Sequence, residues 1–148
     1  MDPFERLMTS RSPDTSRPLS YALLVHGAPY SHQAALSALR FARAVAQRGH
    51  RVATVFFYHD GVHNASMLMA PPQDELSLQE GWRELHTQQG TALLICVAAG
   101  LRRGLLDGAE AARHGKSSAN VEPPFELTGL GQLVDAMLSH DRLLTFAP

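Results

Sequence analysis

The stretch that decides the fold is residues 91–97, TALLICV, which runs directly into the small and turn-prone residues 98–104, AAGLRRG. An apolar run of this length, bounded by turn residues, is typical of a buried β-strand. We therefore predict a strand that ends near Cys96, the only cysteine of the chain, with a loop or a helix beginning immediately after it. In open parallel sheets, ligand binding and chemistry collect at the carboxyl ends of the strands, so this thiol lies where a functional group is expected.

Strands and helices are predicted to alternate on both sides of this stretch. The other predicted strands are residues 20–26, 51–58 and 141–146, and the predicted helices are residues 33–48, 77–89, 109–114 and 129–139. Such alternation is typical of a parallel α/β sheet with helices on both faces. Because right-handed crossovers leave few other arrangements, we predict a single flavodoxin-like α/β domain, with a mostly parallel sheet, over residues 20–148.

Length, composition and charge fit one globular domain and exclude several functional classes. The chain has 148 residues, of which 45% are apolar and 18% are charged, with a net charge of −1. A chain of this charge has no global basic field for nucleic acid, and no apolar run approaches the roughly 18 residues of a membrane span. No hydrophobic segment of the signal-peptide type begins the chain, so we expect a cytoplasmic protein, and one cysteine excludes an intrachain disulfide.

The first 19 residues differ from the rest of the chain in composition. Residues 1–19 contain three prolines and several serines and threonines, which interrupt any helical or strand period. We therefore predict a flexible N-terminal tail ahead of the domain. Met1 and Met8 are both candidates for the natural start.

Two interpretations of Cys96 remain open from the residues alone. Backbone N–H groups at the strand end and the nearby Arg102 and Arg103 favour a thiolate, the nucleophilic form of cysteine, and can also dock an acidic partner. A free cysteine is also among the most buried residue types, and the apolar run by itself favours this second interpretation. We expect His26, at the end of the first strand, to lie next to the third strand and to approach Cys96. A Cys–His hydrolase is therefore a further candidate, although no local hydrolase signature is present.

Several polar residues lie in loops that follow predicted strands and could hydrogen-bond around the thiol. They are Tyr58, Asn64, Ser117, Ser118 and Asn120. Ordinary turn chemistry explains each of them equally well.

Metal and phosphate motifs are weak in this sequence. His59 and His63 are four residues apart, but Gly61 and the flanking turn residues predict a loop, so we assign no metal site. Residues 115–117, GKS, resemble the end of a phosphate-binding loop, but Glu110 stands where that loop needs its earlier glycine.

Four segments together resemble the DsrE/TusD family. They read FFYxDGVxNA at residues 56–65, ICVAAxLRRG at residues 95–104, SSxN at residues 117–120 and LxGLG at residues 127–131. The resemblance covers about residues 20–146 in order and in spacing, and the cysteine segment is its most specific part. Two departures are residues 26–30, HGAPY, where the family more usually has GPAY, and His63, where an aromatic residue is common.

The resemblance implies a DsrE-like α/β fold and a persulfide carried on Cys96, with no metal and no organic cofactor. It implies assembly with TusB- and TusC-like subunits as a heterohexamer. It also implies that sulfur arrives from a TusA-like donor and leaves to a TusE-like acceptor, toward 2-thiouridine at the tRNA wobble position, without direct binding of nucleic acid or membrane. A single cysteine suits such a relay, because a second nearby thiol would resolve the persulfide into a disulfide.

Two alternatives to this relay stay open. The first is a DsrE subunit of a DsrEFH complex, which would use the same chemistry in dissimilatory sulfur oxidation. The second is a non-catalytic scaffold subunit in which Cys96 is only part of the core. The accessibility and reactivity of the thiol discriminate the scaffold from both carriers.

Overall fold

A computed structural model describes residues 17–148 as one α/β domain. The tail predicted for residues 1–19 lies, up to residue 16, outside the described residues, and its boundary stays a prediction. The strands are β1 Ser20–Val25, β2 Arg51–Phe57, β3 Ala92–Cys96, β4 Phe125–Thr128 and β5 Arg142–Phe146. The helices are α1 Gln33–Gln47, α2 Leu78–Gln89, α3 Val97–Arg102, α4 Gly108–Arg113 and α5 Gly131–Ser139, with a 3₁₀ helix at His59–Ala65 between β2 and α2.

The five strands form one sheet in the order β4-β3-β2-β1-β5, and every neighbouring pair is parallel. The predicted α/β class with a parallel sheet is therefore confirmed. The strand order itself is not the flavodoxin order 2-1-3-4-5. Right-handed crossovers fix the hand of each connection, but they do not decide on which side of the sheet the next strand is added. In this chain β2, β3 and β4 are added on one side of β1, and β5 is added on the other side.

Helices cover both faces of the sheet, as predicted. On one face Phe57 of β2 contacts Trp82 of α2, with their ring centroids 5.2 Å apart. Thr54 of β2 has the opposite orientation, because side chains alternate along a strand, and it lines a cleft together with Ala136 of α5. Helices α1 and α2 thus share one face with each other, and α5 lies on the second face.

The core lies between the sheet and helices α1 and α2, where the largest buried side chains are found. Trp82, Phe57, Leu23 and Leu39 are all completely buried there, whereas Phe56 is buried on the opposite face, because it has the same orientation as Thr54. No helix among residues 17–148 is both long enough and apolar enough to cross a membrane. Most of the polar groups singled out in the sequence lie instead at the carboxyl edge of this sheet.

Candidate active site

The centre of the carboxyl edge is a row of side chains contributed by three neighbouring strands. The parallel registers that join β2 to β3 and to β1 end at Phe57. The next position places Tyr58 beside Cys96 on one side and beside His26 on the other, and the Tyr58 N–H still donates to the Val25 carbonyl at 3.0 Å. Residues paired across parallel strands point to the same face, so Cys96, Tyr58 and His26 form one row.

Cys96 is the last residue of β3 and directly precedes α3. Its side chain is buried, with a residue exposure of only 2%, and it belongs to the main hydrophobic core. On its other side the register pairs it with Thr128, the last residue of β4. The strand end predicted near Cys96 is therefore confirmed, but in the isolated chain the thiol is covered.

The two arginines that follow Cys96 have different positions. Arg102 is exposed, and within residues 17–148 it makes no hydrogen bond or ion pair. The Arg103 Nε donates to Asp60 Oδ1 at 2.8 Å, and its Nη1 donates to the Ala99 carbonyl at 3.2 Å. The hydrogen bond from this guanidinium holds the pKa of Asp60 below its ordinary value. The structure thus places Arg103 between the 3₁₀ helix and α3, where it bonds to a carboxylate and a carbonyl.

His26 belongs to a group of three rings at the same edge. Its ring centroid lies 5.8 Å from that of Tyr58 and 4.8 Å from that of His59. Burial lowers the pKa of His26, and the charge of His59 lowers it further. Its Nε2 is buried and has no hydrogen-bond partner within the described part of the chain.

The prediction that His26 lies on the strand next to that of Cys96 is wrong, because β2 lies between β1 and β3. With about 4.8 Å between neighbouring strands, their Cα atoms are roughly 10 Å apart. Tyr58, which stands between them, is the side chain in register with the thiol.

Asn64 fixes the 3₁₀ helix from inside the core. Its Nδ2 donates to the carbonyls of Gly27 at 3.2 Å and Gly61 at 2.9 Å, and its Oδ1 accepts from Trp82 Nε1 at 3.2 Å. Both N–H donors of the amide and its oxygen are thus engaged inside the protein. A Cβ at Gly61 would collide with the Val25 carbonyl, so glycine is required where this helix meets β1.

Asn120, in the loop between α4 and β4, has a similar role, because it holds the segment that follows α3. Its Oδ1 accepts from the Leu106 N–H at 2.9 Å, its Nδ2 donates to the Gly104 carbonyl at 2.9 Å, and its own carbonyl accepts from the Met67 N–H at 2.9 Å. Ser118 is exposed on the same loop. No hydrogen bond joins either side chain to Cys96 in the part of the chain that the structure describes.

A family model described as the DsrE/DsrF-like family matches residues 19–146. The chain belongs to the DsrE/DsrF-like family. It is 52% identical to sulfurtransferase TusD of Salmonella newport over 128 residues, which are 86% of this chain and the whole of that protein. It is 46% identical to the putative sulfurtransferase DsrE of Allochromatium vinosum, over 86% of this chain and 98% of that protein. The resemblance predicted from the four sequence segments is thereby confirmed.

A solved structure supports the DsrE/DsrF-like fold independently of sequence. The crystal structure of the ychN protein from E. coli superposes with a TM-score of 0.69 and covers 86% of this chain and 99% of that one. Its sequence identity is 22%, so the likeness concerns the fold alone.

Sequence reasoning missed two residues of this DsrE/DsrF-like site. Asp60 stands in the segment that carried the resemblance, but its pairing with Arg103 joins residues 43 positions apart, which no local pattern reveals. Thr128 was missed because β4, a strand of only four residues, follows two prolines and carries no clear period. Within residues 17–148 no three His, Cys, Asp or Glu side chains are grouped closely enough to hold a metal ion.

Proposed function

We propose that this chain is a sulfurtransferase subunit that carries sulfane sulfur as a persulfide on Cys96. The observation that carries the proposal is the place of the only cysteine, at the carboxyl edge of β3 and flanked in register by Tyr58 and Thr128. The names of two relatives that match over almost their whole length, sulfurtransferase TusD and putative sulfurtransferase DsrE, support it.

The transfer needs two exchange steps at the same sulfur atom. In the first, the Cys96 thiolate attacks the outer sulfur of a donor persulfide, so that a new S–S bond forms on Cys96 while the donor S–S bond breaks and the donor leaves as a thiolate. In the second, an acceptor thiolate attacks the outer sulfur on Cys96, and Cys96 is released as a thiolate. Sulfur and electrons balance in both steps, so neither step requires an oxidant, a metal or an organic cofactor.

Tyr58 and Thr128 are the side chains that we assign to the bound persulfide. Tyr58 directly follows β2 and Thr128 ends β4, the two strands that flank β3, so each is a hydroxyl-bearing residue next to Cys96 in the row. Hydrogen bonds to an anionic sulfur favour the charged form, which is the nucleophile in both exchange steps. Arg102 is exposed beside the site and is suited to meet an acidic surface of a donor or acceptor.

We further propose that the chain works with TusB- and TusC-like subunits, accepts sulfur from a TusA-like donor and delivers it to a TusE-like acceptor for 2-thiouridine at the tRNA wobble position. The relatives named TusD support this pathway. Exposed apolar side chains support assembly, since large apolar patches mark interaction sites. They include Leu68, which is 73% exposed, Leu138 on α5, which is 81% exposed, and the half-exposed Met67, Val134 and Met137.

Specific observations also favour the two other candidate functions. The identity of 46% to the Allochromatium vinosum DsrE is close to the 52% for the Salmonella TusD, which keeps a DsrE role in dissimilatory sulfur oxidation as the second candidate. The exposure of only 2% at Cys96 favours a scaffold in which the thiol is never used.

Mass spectrometry of the intact protein tests the carrier role. After incubation with a cysteine desulfurase, cysteine and a TusA-like donor, wild-type protein should gain the mass of one sulfur atom, about 32 Da, and lose it to a TusE-like acceptor. Cys96→Ser should gain nothing while keeping its Tm, because the change in volume is small. Wild-type protein that stays unloaded, or Cys96→Ser that supports tRNA thiolation at the wild-type level in a cell using this relay, would make the chain a scaffold.

A further inference from the structure

The inference below rests on the proposed function, which requires that the thiol of a donor or acceptor can reach Cys96. Thiol exchange requires that the attacking sulfur reach the thiol, and its rate depends on access. Cys96 is almost completely buried in the chain alone. A donor or acceptor can therefore meet it only after something that surrounds the end of β3 has moved.

Two short elements surround the end of β3. The 3₁₀ helix begins directly after Tyr58, the residue in register with Cys96, and α3 begins directly after Cys96 itself. Both elements contact β3, and they contact each other. These two elements are therefore the ones nearest in sequence and in contact to the strand end that carries the thiol.

One ion pair joins the exposed ends of these elements. Asp60 is the second residue of the 3₁₀ helix, and Arg103 directly follows α3. Their side chains meet at 2.8 Å, with Arg103 28% and Asp60 57% exposed. Because Arg103 also bonds to the Ala99 carbonyl within α3, it ties Asp60 to the backbone of the turn that follows the thiol.

The far end of the 3₁₀ helix is held differently. Asn64 bonds it to the loop after β1 and to α2 from inside the core. The near end contains His59, whose φ of 49° is in the left-handed region that a non-glycine residue adopts only at a cost. Asn64 therefore holds the last turn of the 3₁₀ helix in the core, whereas the first turn contains the strained His59 and the ion-paired Asp60.

We propose that the Asp60–Arg103 ion pair is a clasp that holds the 3₁₀ helix against α3 and sets how readily the thiol of a donor or acceptor reaches Cys96. Arg103 is in this sense a positioning residue for sulfur transfer. A partly exposed ion pair contributes little to stability, so a docking partner can open this clasp at small cost. The same clasp keeps the thiol covered when no partner is bound.

The test measures how fast Cys96 is alkylated in the native full-length chain. Wild type, Arg103→Met and Asp60→Asn are treated with iodoacetamide and with a bulky maleimide, and the adduct is followed by intact mass. Because a partly exposed ion pair contributes little to stability, we expect both variants to react only about 1.5- to fivefold faster than wild type. Asp60→Asn removes the charge with almost no change in shape, which keeps the test sound if Arg103→Met folds poorly.

The Arg83–Glu122 pair supplies a matched control. Its atoms are 2.9 Å apart, Arg83 is also 28% exposed, and Arg83 likewise donates to a backbone carbonyl, that of Pro123, at 3.0 Å. Arg83→Met should therefore lose a similar ion pair, one that joins α2 to the segment before β4 and not the 3₁₀ helix to α3, and should leave the alkylation rate unchanged. Exchange of the two charges, in the double variant Asp60→Arg with Arg103→Asp, should bring the rate back toward that of wild type.

The outcomes separate the clasp from the proposed function. Alkylation of both clasp variants at the wild-type rate overturns the clasp, and so does equal acceleration by Arg83→Met, which would mean general loosening. Sulfur loading from a TusA-like donor is measured on the same proteins. If the clasp variants are alkylated faster but the protein never accepts sulfur, the clasp is supported and the carrier function is overturned. If the protein accepts sulfur normally but the variants are alkylated at the wild-type rate, the carrier function is supported and the clasp is overturned.

Discussion

Asn64 is the residue on which the geometry of the site depends most directly. It is completely buried, and its single amide bonds to two backbone carbonyls and to the indole of Trp82. A buried polar group must find its partners inside the protein, and each partner left unpaired costs free energy. The amide thus orients the 3₁₀ helix, and through it Tyr58, without touching the thiol.

Replacing Asn64 by alanine should destabilise the protein strongly. The change leaves the buried Trp82 N–H without its partner and removes the bonds of the amide to two carbonyls, so we expect a loss of about 3 kcal/mol in the free energy of unfolding and a fall in Tm of about 6–12 °C. Urea unfolding measures the first quantity and calorimetry the second. Ser118→Ala, at an exposed position, should stay within about 0.5 kcal/mol of wild type. If Asn64→Ala is no worse than this control, the buried network is not what holds the 3₁₀ helix.

At the scale of elements, β5 is tied to the beginning of the domain by one carboxylate. Asp141 accepts hydrogen bonds from the Ser20 N–H at 2.9 Å and from the Ser20 hydroxyl at 3.1 Å, and Arg17 donates to it at 2.6 Å. The guanidinium of Arg17 and the bonds from Ser20 hold the pKa of Asp141 far below its ordinary value. The carboxylate therefore fastens the start of β1 to the start of its neighbour β5.

This contact predicts a specific loss of stability in acid. Because the folded-state pKa is lower than the unfolded value of about 3.9, the stabilisation is fully present above that value and is lost as pH falls below it toward the folded value. Asp141→Asn should lower the Tm at pH 7, and its difference from wild type should shrink progressively below about pH 4. Thermal melts between pH 2 and pH 7 measure this.

The control for this change is Asp135→Asn on the exposed side of α5. It should run parallel to wild type over the whole pH range. A difference between Asp141→Asn and wild type that stays constant down to pH 2 would contradict the linkage.

The sequence predicts an element when the pattern of that element's own residues is sufficient to identify it. Helix α1 and strands β1 to β3 carry their period or their apolar run in their own residues, so their existence and the position of Cys96 were predictable. Strand β4 is short and has only Phe125 fully buried, so its identity depends on pairing with β3. The strand order, the separation of His26 from Cys96 and the Asp60–Arg103 pair all depend on which distant segments meet, and no local pattern of residues reveals that.

At the scale of the whole molecule, the chain just before β1 is already part of the domain. Leu19 donates its N–H to His50 Nδ1 at 3.0 Å, and its carbonyl accepts from the Arg51 N–H at 3.0 Å. Together with the bond from Arg17 to Asp141, these contacts place the useful truncation point before Arg17.

Deletion of residues 1–16 should leave the stability of the domain unchanged. Their composition, rich in serine, threonine and proline, buries too little apolar surface to offset the entropy of ordering. We expect a Tm within about 2 °C of the full-length value. A deletion that also removes Arg17 should cost more, since it takes away a partner of Asp141. A fall of more than about 5 °C from the shorter deletion would show that the tail packs on the domain.

The burial of Cys96 has a consequence for the lifetime of the proposed persulfide. A persulfide on an open surface would be consumed by whichever small thiol collided with it first. Behind the 3₁₀ helix and α3, a persulfide on Cys96 would meet such thiols only while the site is open, so its lifetime would lengthen in proportion to the fraction of time that the site is closed. The proposed carrier would then release its sulfur preferentially to a partner that opens the site on docking.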